Sequence, residues 1–166
     1  MGDDLSLEGR DAIRTPMQWS SLPNGGFSAA DPGELARPVV DSGEYGYQKV
    51  NATAQRQDPG SLLSWFERMI RTLREAPEVG AGACTHVDVP VPGGVLVHRA
   101  AAYTGTMLFV HNLGTDDAVV DLGSVYADAE SPNDVLADQE YPELGKLTEV
   151  PVAGHGYRWI RLRRCS

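Results

Sequence analysis

Between residues 84 and 163, seven short apolar runs alternate with turn residues, and no helical period interrupts them. The runs cover 84–89, 95–101, 106–112, 118–122, 133–136, 147–152 and 157–163. They are broken at Pro92-Gly93-Gly94, Gly114-Thr115-Asp116-Asp117, Ser131-Pro132-Asn133 and Gly154-His155-Gly156. Tight turns can join only antiparallel neighbours, because parallel strands need a long crossover, usually a helix. This half of the chain is therefore expected to be mostly β, folded as an antiparallel β-sandwich.

A helical pattern precedes the strands. Leu62, Leu63, Phe66, Met69, Ile70 and Leu73 recur at helical spacing, and the stripe they form has to be buried against a partner surface. Asp58 is a candidate cap, Pro59 suits the first helical position, and Pro77 is expected to end the run. Arg68, Arg71 and Arg74 complement the C-terminal half of the helix dipole.

Residues 1–57 are rich in Gly, Pro, Asn, Ser and Asp and show no sustained period. So long an irregular stretch is usually a functional loop or a linker. It also carries Ile13, Met17, Trp19, Phe27, Val39, Val40, Tyr45 and Tyr47, which a disordered linker has no use for. It reads as an ordered loop packed against something.

The formal charge of −9 argues against nucleic acid or an anionic membrane as partner. No apolar run approaches the ~20 residues of a membrane helix. The first residues show neither a basic region nor an apolar stretch, so a cytoplasmic protein is expected. Cys84 and Cys165 are too few for a disulfide framework and are read as free thiols, with a single bridge left open. The four histidines at 86, 98, 111 and 155 are spread out, so no metal site is expected.

The most informative words lie in the irregular half. Gly9-Arg10-Asp11-Ala12-Ile13-Arg14-Thr15-Pro16-Met17-Gln18-Trp19 is followed by Asn24-Gly25-Gly26-Phe27-Ser28, then by Tyr45-Gly46-Tyr47-Gln48-Lys49-Val50-Asn51. Gln55-Arg56-Gln57-Asp58-Pro59-Gly60-Ser61-Leu62-Leu63 completes the series. In this order they resemble the α-glucosidase and trehalose synthase branch of glycoside hydrolase family 13, the α-amylase superfamily. The Tyr45-Gly46-Tyr47 step is closer to the trehalose synthase side. The run Gly156-Tyr157-Arg158-Trp159-Ile160-Arg161-Leu162 is similar to the family's last β-domain strand.

The resemblance implies an architecture. Residues 1–80 would form the last βα loop and final helix of a (β/α)8 barrel, and residues 81–166 a C-terminal β-sandwich domain. Family members carry an Asp nucleophile, a Glu acid/base and a second Asp on earlier barrel strands, and Met1-Gly2-Asp3-Asp4 resembles the segment just past strand eight. Two carboxyl groups flanking the scissile bond are the core of this chemistry. The chain is thus expected to hold no catalytic residue and to be inactive alone. Its implied partners are an α-glucoside substrate (maltose, trehalose or malto-oligosaccharides) and the missing barrel, in the same protein or as a separate chain. No nucleotide, redox cofactor or metal is implied. Two rival expectations are a non-catalytic β-sandwich module binding glycan or protein, and a subunit completing another chain's barrel.

The resemblance also implies site residues. Arg14 stands where the family's arginine holds the non-reducing glucose while pairing with an acidic barrel residue, a task suited to the guanidinium fork. Arg10 is a candidate for the same entrance, its alternative being an exposed loop charge. Gln18 and Trp19 read as loop anchors, and Asn24 with the two following glycines as a positive-φ turn that places Phe27. Asn51-Ala52-Thr53 fits the glycosylation pattern by chance. Asp3/Asp4 and Asp116/Asp117 read as solvated surface. Tyr103, Tyr157 and Trp159 fit a sandwich core better than a sugar-binding face.

Overall fold

The computed structural model describes residues 9–126 and 130–163. The chain divides into two compact units, Met1–Arg68 and Met69–Ser166.

The first unit has little regular structure. Short 3-10 turns occur at Gly9–Ala12, Pro23–Gly26 and Pro32–Glu34, and one short helix, α1, spans Ala52–Gln57. Six residues without an apolar stripe cannot sustain a helix alone. Asn51 supplies what is missing: its Oδ1 accepts from the Ala54 amide at 2.8 Å, and its Nδ2 donates to the Tyr47 carbonyl at 2.9 Å. The Asn51 side chain is buried and doubly engaged, so the glycosylation pattern there has no accessible acceptor.

The next helix, α2, runs over Leu62–Arg74 and carries the chain from the first unit into the second. It starts later than the expected Asp58. That residue instead ends α1, and its Oδ1 accepts from the Gly60 amide at 2.8 Å. The cap is Ser61, whose Oγ accepts from the Ser64 amide at 3.1 Å, while Gln55 Oε1 takes the Leu63 amide at 3.1 Å. The helix also stops before Pro77. Proline opens a further short helix, α3 (Pro77–Ala81), at the position where its missing N–H costs nothing.

The second unit contains seven strands: β1 Ala83–His86, β2 Val95–Ala102, β3 Gly105–Asn112, β4 Ala118–Val120, β5 Glu130–Ala137, β6 Val150–Val152 and β7 Tyr157–Arg163. A one-turn helix, α4 (Gly123–Tyr126), precedes β5. All pairings are antiparallel; five strands form a sheet in the order β1-β2-β3-β7-β5, and β4 pairs with β6. The first strand stops at His86, short of the expected 89, and the sixth begins only at Val150.

Strand β3 shows why the apolar runs are so dense. Leu108 and Val110 join Val97, Ile160 and Leu162 in one core with Val120, Val150 and Val152 of the β4–β6 pair. Met107 and Phe109 point the other way, joining Ala76, Ala100 and Trp159 in a second cluster that Met69, Leu73 and Val79 of α2 and α3 help to cover. Alternate residues therefore serve two faces, and both are buried. Trp159 lies within this second cluster, with Tyr157 packed against it, whereas Tyr103 is exposed.

Turn residues close the ends. Asn112 is buried, donates to the Asp116 and Ala153 carbonyls at 2.8 and 3.0 Å, and accepts from the Gly114 amide. At Gly154 an added Cβ would meet the Thr115 carbonyl oxygen at 2.0 Å, so only glycine permits this approach. Cys84 is a free, exposed thiol on β1, and Cys165 lies outside the described residues.

Candidate functional site

The segment after the Gly9–Ala12 turn has no ladder to hold it, so side chains must do so. Gln18 is buried, and its amide nitrogen donates to the Val50 carbonyl and, at 3.0 Å, to that of Tyr45. Its own carbonyl accepts from the Ala52 amide at 2.9 Å, and that of Trp19 accepts from both Thr53 N–H and Oγ1. Gln18 is thus the anchor expected of it. Trp19 anchors through its backbone and leaves its indole half exposed.

Next comes the turn. Asn24, Gly25 and Gly26 take φ values of 55°, 66° and 68°, three consecutive residues in the left-handed region. Asn24 is buried and donates to the carbonyls of Ser28 at 3.0 Å and Ala30 at 2.7 Å, while the Trp19 and Ser20 amides both donate to the Gly25 carbonyl. The positive-φ turn is where the Asn-Gly-Gly word placed it.

Arg14 is exposed and belongs to the walls of two cavities. One, of about 490 Å³, is bounded by Ile13 to Gln18 together with Val50 to Ala52, Gln55 and Leu63. The other, of about 300 Å³, is bounded by Arg14 to Met17 with Phe27, Leu35, Ala36 and Arg37. The segment from Arg14 to Met17 thus borders both hollows. Arg10 is exposed and lines neither hollow. Phe27 and Arg37 join Arg14 at the smaller hollow. Neither was singled out as a site residue from sequence: the turn word pointed to Phe27 only as something to be placed, and no motif marks Arg37.

Asp117 Oδ1 accepts from the Gly154 amide at 3.0 Å, a turn contact, and Asp3 and Asp4 lie outside the described residues. Among the described residues, no group of three or more His, Cys, Asp or Glu side chains could hold a metal ion. No helix among them is long and apolar enough to cross a membrane.

Residues 1–82 match the family described as alpha amylase, catalytic domain. The chain is 36% identical over 166 residues to a trehalose synthase of Pimelobacter sp. (strain R48), spanning 98% of this chain and 29% of that protein. It is 34% identical over 165 residues to the trehalose synthase/amylase of Mycobacterium tuberculosis, spanning 98% of this chain and 28% of that protein. An α-glucosidase of Pediococcus pentosaceus is 34% identical over 79 residues, which is 48% of this chain and 13% of that protein. The trehalose synthase matches thus span nearly the whole chain, and the glucosidase match about half of it. In fold, the chain superposes on trehalose-6-phosphate hydrolase of Bacillus licheniformis with a TM-score of 0.70 at 19% identity, covering 96% of this chain and 27% of that one. Isomaltulose synthase of Erwinia rhapontici gives a TM-score of 0.66 at 18% identity, covering 93% and 26%. The chain spans less than a third of each of these proteins. Residues 1–82 thus carry the α-amylase family match, and along its length the chain is similar to the trehalose synthases of glycoside hydrolase family 13.

Proposed function

We propose that this chain supplies a substrate-side loop and a stabilising β-sandwich domain to a trehalose synthase-type enzyme acting on α-linked glucosides such as maltose, trehalose and malto-oligosaccharides. The observation that carries the reading is the position of Arg14: an exposed residue that lines two hollows, four residues before the buried anchor Gln18. A fork of five donors can hold sugar hydroxyls and a carboxylate together. In this reading residues 1–80 end a (β/α)8 barrel and residues 81–166 form the sandwich. The five-stranded sheet and the β4–β6 pair share one core, which supports a two-layer arrangement.

The chemistry would be a retaining double displacement, whose carboxyl pair comes from barrel strands other than these residues. The first unit supports a barrel partner, in the same protein or as another chain, because Ile13 is 64% and Leu62 63% exposed. A cytoplasmic setting fits the exposed thiol of Cys84. The purified polypeptide is incubated with maltose, sucrose or trehalose, and no turnover above buffer is expected. Turnover that disappears when one Asp or Glu of this chain is replaced defeats the reading.

A further inference from the structure

We propose that the Asn24–Gly25 step is a modification site held shut by the fold: the intact loop blocks deamidation of Asn24, and opening of the loop lets the reaction run and makes the opening permanent.

The sequence has four asparagines, Asn24, Asn51, Asn112 and Asn133, and only Asn24 is followed by glycine. In an Asn-Gly step the glycine nitrogen attacks the side-chain Cγ. A C–N bond forms, the nitrogen gives up its proton, and the side-chain amide leaves as ammonia. Water then opens the resulting succinimide at either carbonyl, giving aspartate or isoaspartate. Glycine suits the step because it has no side chain to hinder the approach of its nitrogen.

Three features of the loop oppose this reaction. The first is the backbone: Asn24 has φ 55° and ψ 26°. For an L-residue that ψ turns the Gly25 nitrogen away from Cβ, so the ring closes only after rotation about the Cα–C bond. The Asn24 carbonyl shares a peptide group with that nitrogen, and it accepts from the Phe27 amide at 3.1 Å. The next carbonyl, of Gly25, accepts from the Trp19 and Ser20 amides at 2.8 and 3.0 Å. Both peptide groups flanking Gly25 are thus fixed, and rotation has to break these bonds. The second feature is the leaving nitrogen, Nδ2, which donates to the Ser28 carbonyl at 3.0 Å and the Ala30 carbonyl at 2.7 Å. The third is burial: Asn24 is 4% exposed, which keeps away the water and base that proton loss and hydrolysis require.

The same contacts make the conversion one-way. Nδ2 is a donor facing two carbonyl oxygens, and a carboxylate in its place is acceptor-only, so it meets both oxygens with negative charge. Isoaspartate lengthens the main chain by a carbon inside a turn of three consecutive positive-φ residues, and the Gly25 carbonyl then loses its alignment with Trp19 and Ser20. Phe27 follows the turn and borders the hollow that Arg14 lines, so the change reaches that wall.

The test follows the full chain by peptide mapping and mass spectrometry at mildly alkaline pH, in buffer and in concentrated urea. In urea, Asn24 should convert well ahead of Asn51, Asn112 and Asn133. In buffer its conversion should be slower by about tenfold or more, which corresponds to about 1.4 kcal/mol or more of loop-opening free energy. Asn24→Gly keeps the positive φ and cannot deamidate, so its peptide should show no mass gain. Asn24→Asp carries the product carboxylate and should lose hydrogen-exchange protection at the Trp19 and Ser20 amides while keeping it in β3. Equal rates in buffer and urea overturn the protection by the fold, and this comparison uses wild type alone, so it stands however Asn24→Asp folds. An unconverted Asn24 in urea overturns the susceptibility of the step. Wild-type protection of Trp19 and Ser20 in Asn24→Asp overturns the permanent opening.

Discussion

Gln18 and Val50 are joined by a hydrogen bond from a buried side-chain amide to a backbone carbonyl across 32 residues. With the parallel bond to Tyr45, it ties the Arg14-Thr15-Pro16-Met17-Gln18 word to the Tyr45-Gly46-Tyr47 word. The two words are thus tied together through Gln18.

Gln18→Leu keeps the volume and removes both donors. Two partly buried hydrogen bonds are then lost, at about 1 kcal/mol each. The loss should appear locally: hydrogen exchange at the Ala52 and Thr53 amides, which donate to residues 18 and 19, should speed up, with the β3 amides unchanged. Equal protection in both proteins would show that backbone packing alone holds the loop.

Arg158 of β7 is fully buried, and its guanidinium meets Asp134 through two hydrogen bonds, the Pro151 carbonyl at 3.1 Å and the face of Tyr141 at 4.4 Å. It links β7 to β5 and β6 at once. Asp134 remains 27% exposed, so removing Arg158 leaves a charge with some access to water. Arg158→Met should therefore cost about 3 kcal/mol, the low end for breaking a buried pair. Arg158→Lys should cost nearly as much, because an ammonium cannot reproduce the fork or the stacked plane. Urea denaturation of the three proteins measures both losses, and full rescue by lysine would show that charge alone matters.

How much of this was readable beforehand varied by element, for physical reasons. Strands β3 and β7 were plain because each runs unbroken between turn residues and buries alternate side chains on two faces. Helix α1 was hidden, since Ala52–Gln57 has no apolar stripe and depends on the buried Asn51. The start of α2 was misplaced because Asp58 and Ser61 are both good caps. The choice falls to Gln55, whose carbonyl accepts from Ser61 Oγ at 2.6 Å and whose side chain takes the Leu63 amide. At the candidate site, the motif identified Arg14 but not its neighbours. Phe27 and Arg37 reach the same hollow through a fold that no local pattern encodes.

A row of rings crosses the five-stranded sheet: His98 stacks on Phe109 at 4.6 Å and on His111 at 5.5 Å, and His86 is its register partner on β1. Burial, then His86, lowers the His98 pKa below its ordinary 6.5, and burial, then His98, lowers that of His111. The unfolded chain therefore binds more protons than the folded one just below that value. Stability from these groups is complete above pH 6.5 and is lost as pH falls through the lower folded values. His98→Phe keeps a stacked ring and removes one proton site together with its repulsion of His111. Its melting temperature should fall less than that of wild type between pH 7.5 and 5.5. Parallel curves would show that neither imidazole senses pH through the fold.

In an intact enzyme that carries this segment, the roles open to Arg14 are separable by substitution. Arg14 is exposed, while the hydrogen bonds that tie this segment to residues 45–50 are made by Gln18. Replacing Arg14 should accordingly leave folding close to wild type. If its fork holds glucose hydroxyls while pairing with a barrel carboxylate, the loss should appear in catalysis. Hydrogen bonds to charged groups are worth about 1.5–3 kcal/mol, which corresponds to roughly a ten- to hundredfold fall in kcat/KM. Arg14→Lys should be nearly as damaging as Arg14→Ala, because a point charge cannot make two parallel contacts. Measuring kcat/KM with maltose and trehalose alongside the melting temperature separates the roles. A large fall in kcat/KM at constant melting temperature assigns Arg14 to the substrate. Near-normal kcat/KM in Arg14→Lys, or a fall that merely follows unfolding, would make Arg14 a structural anchor and remove it from the site.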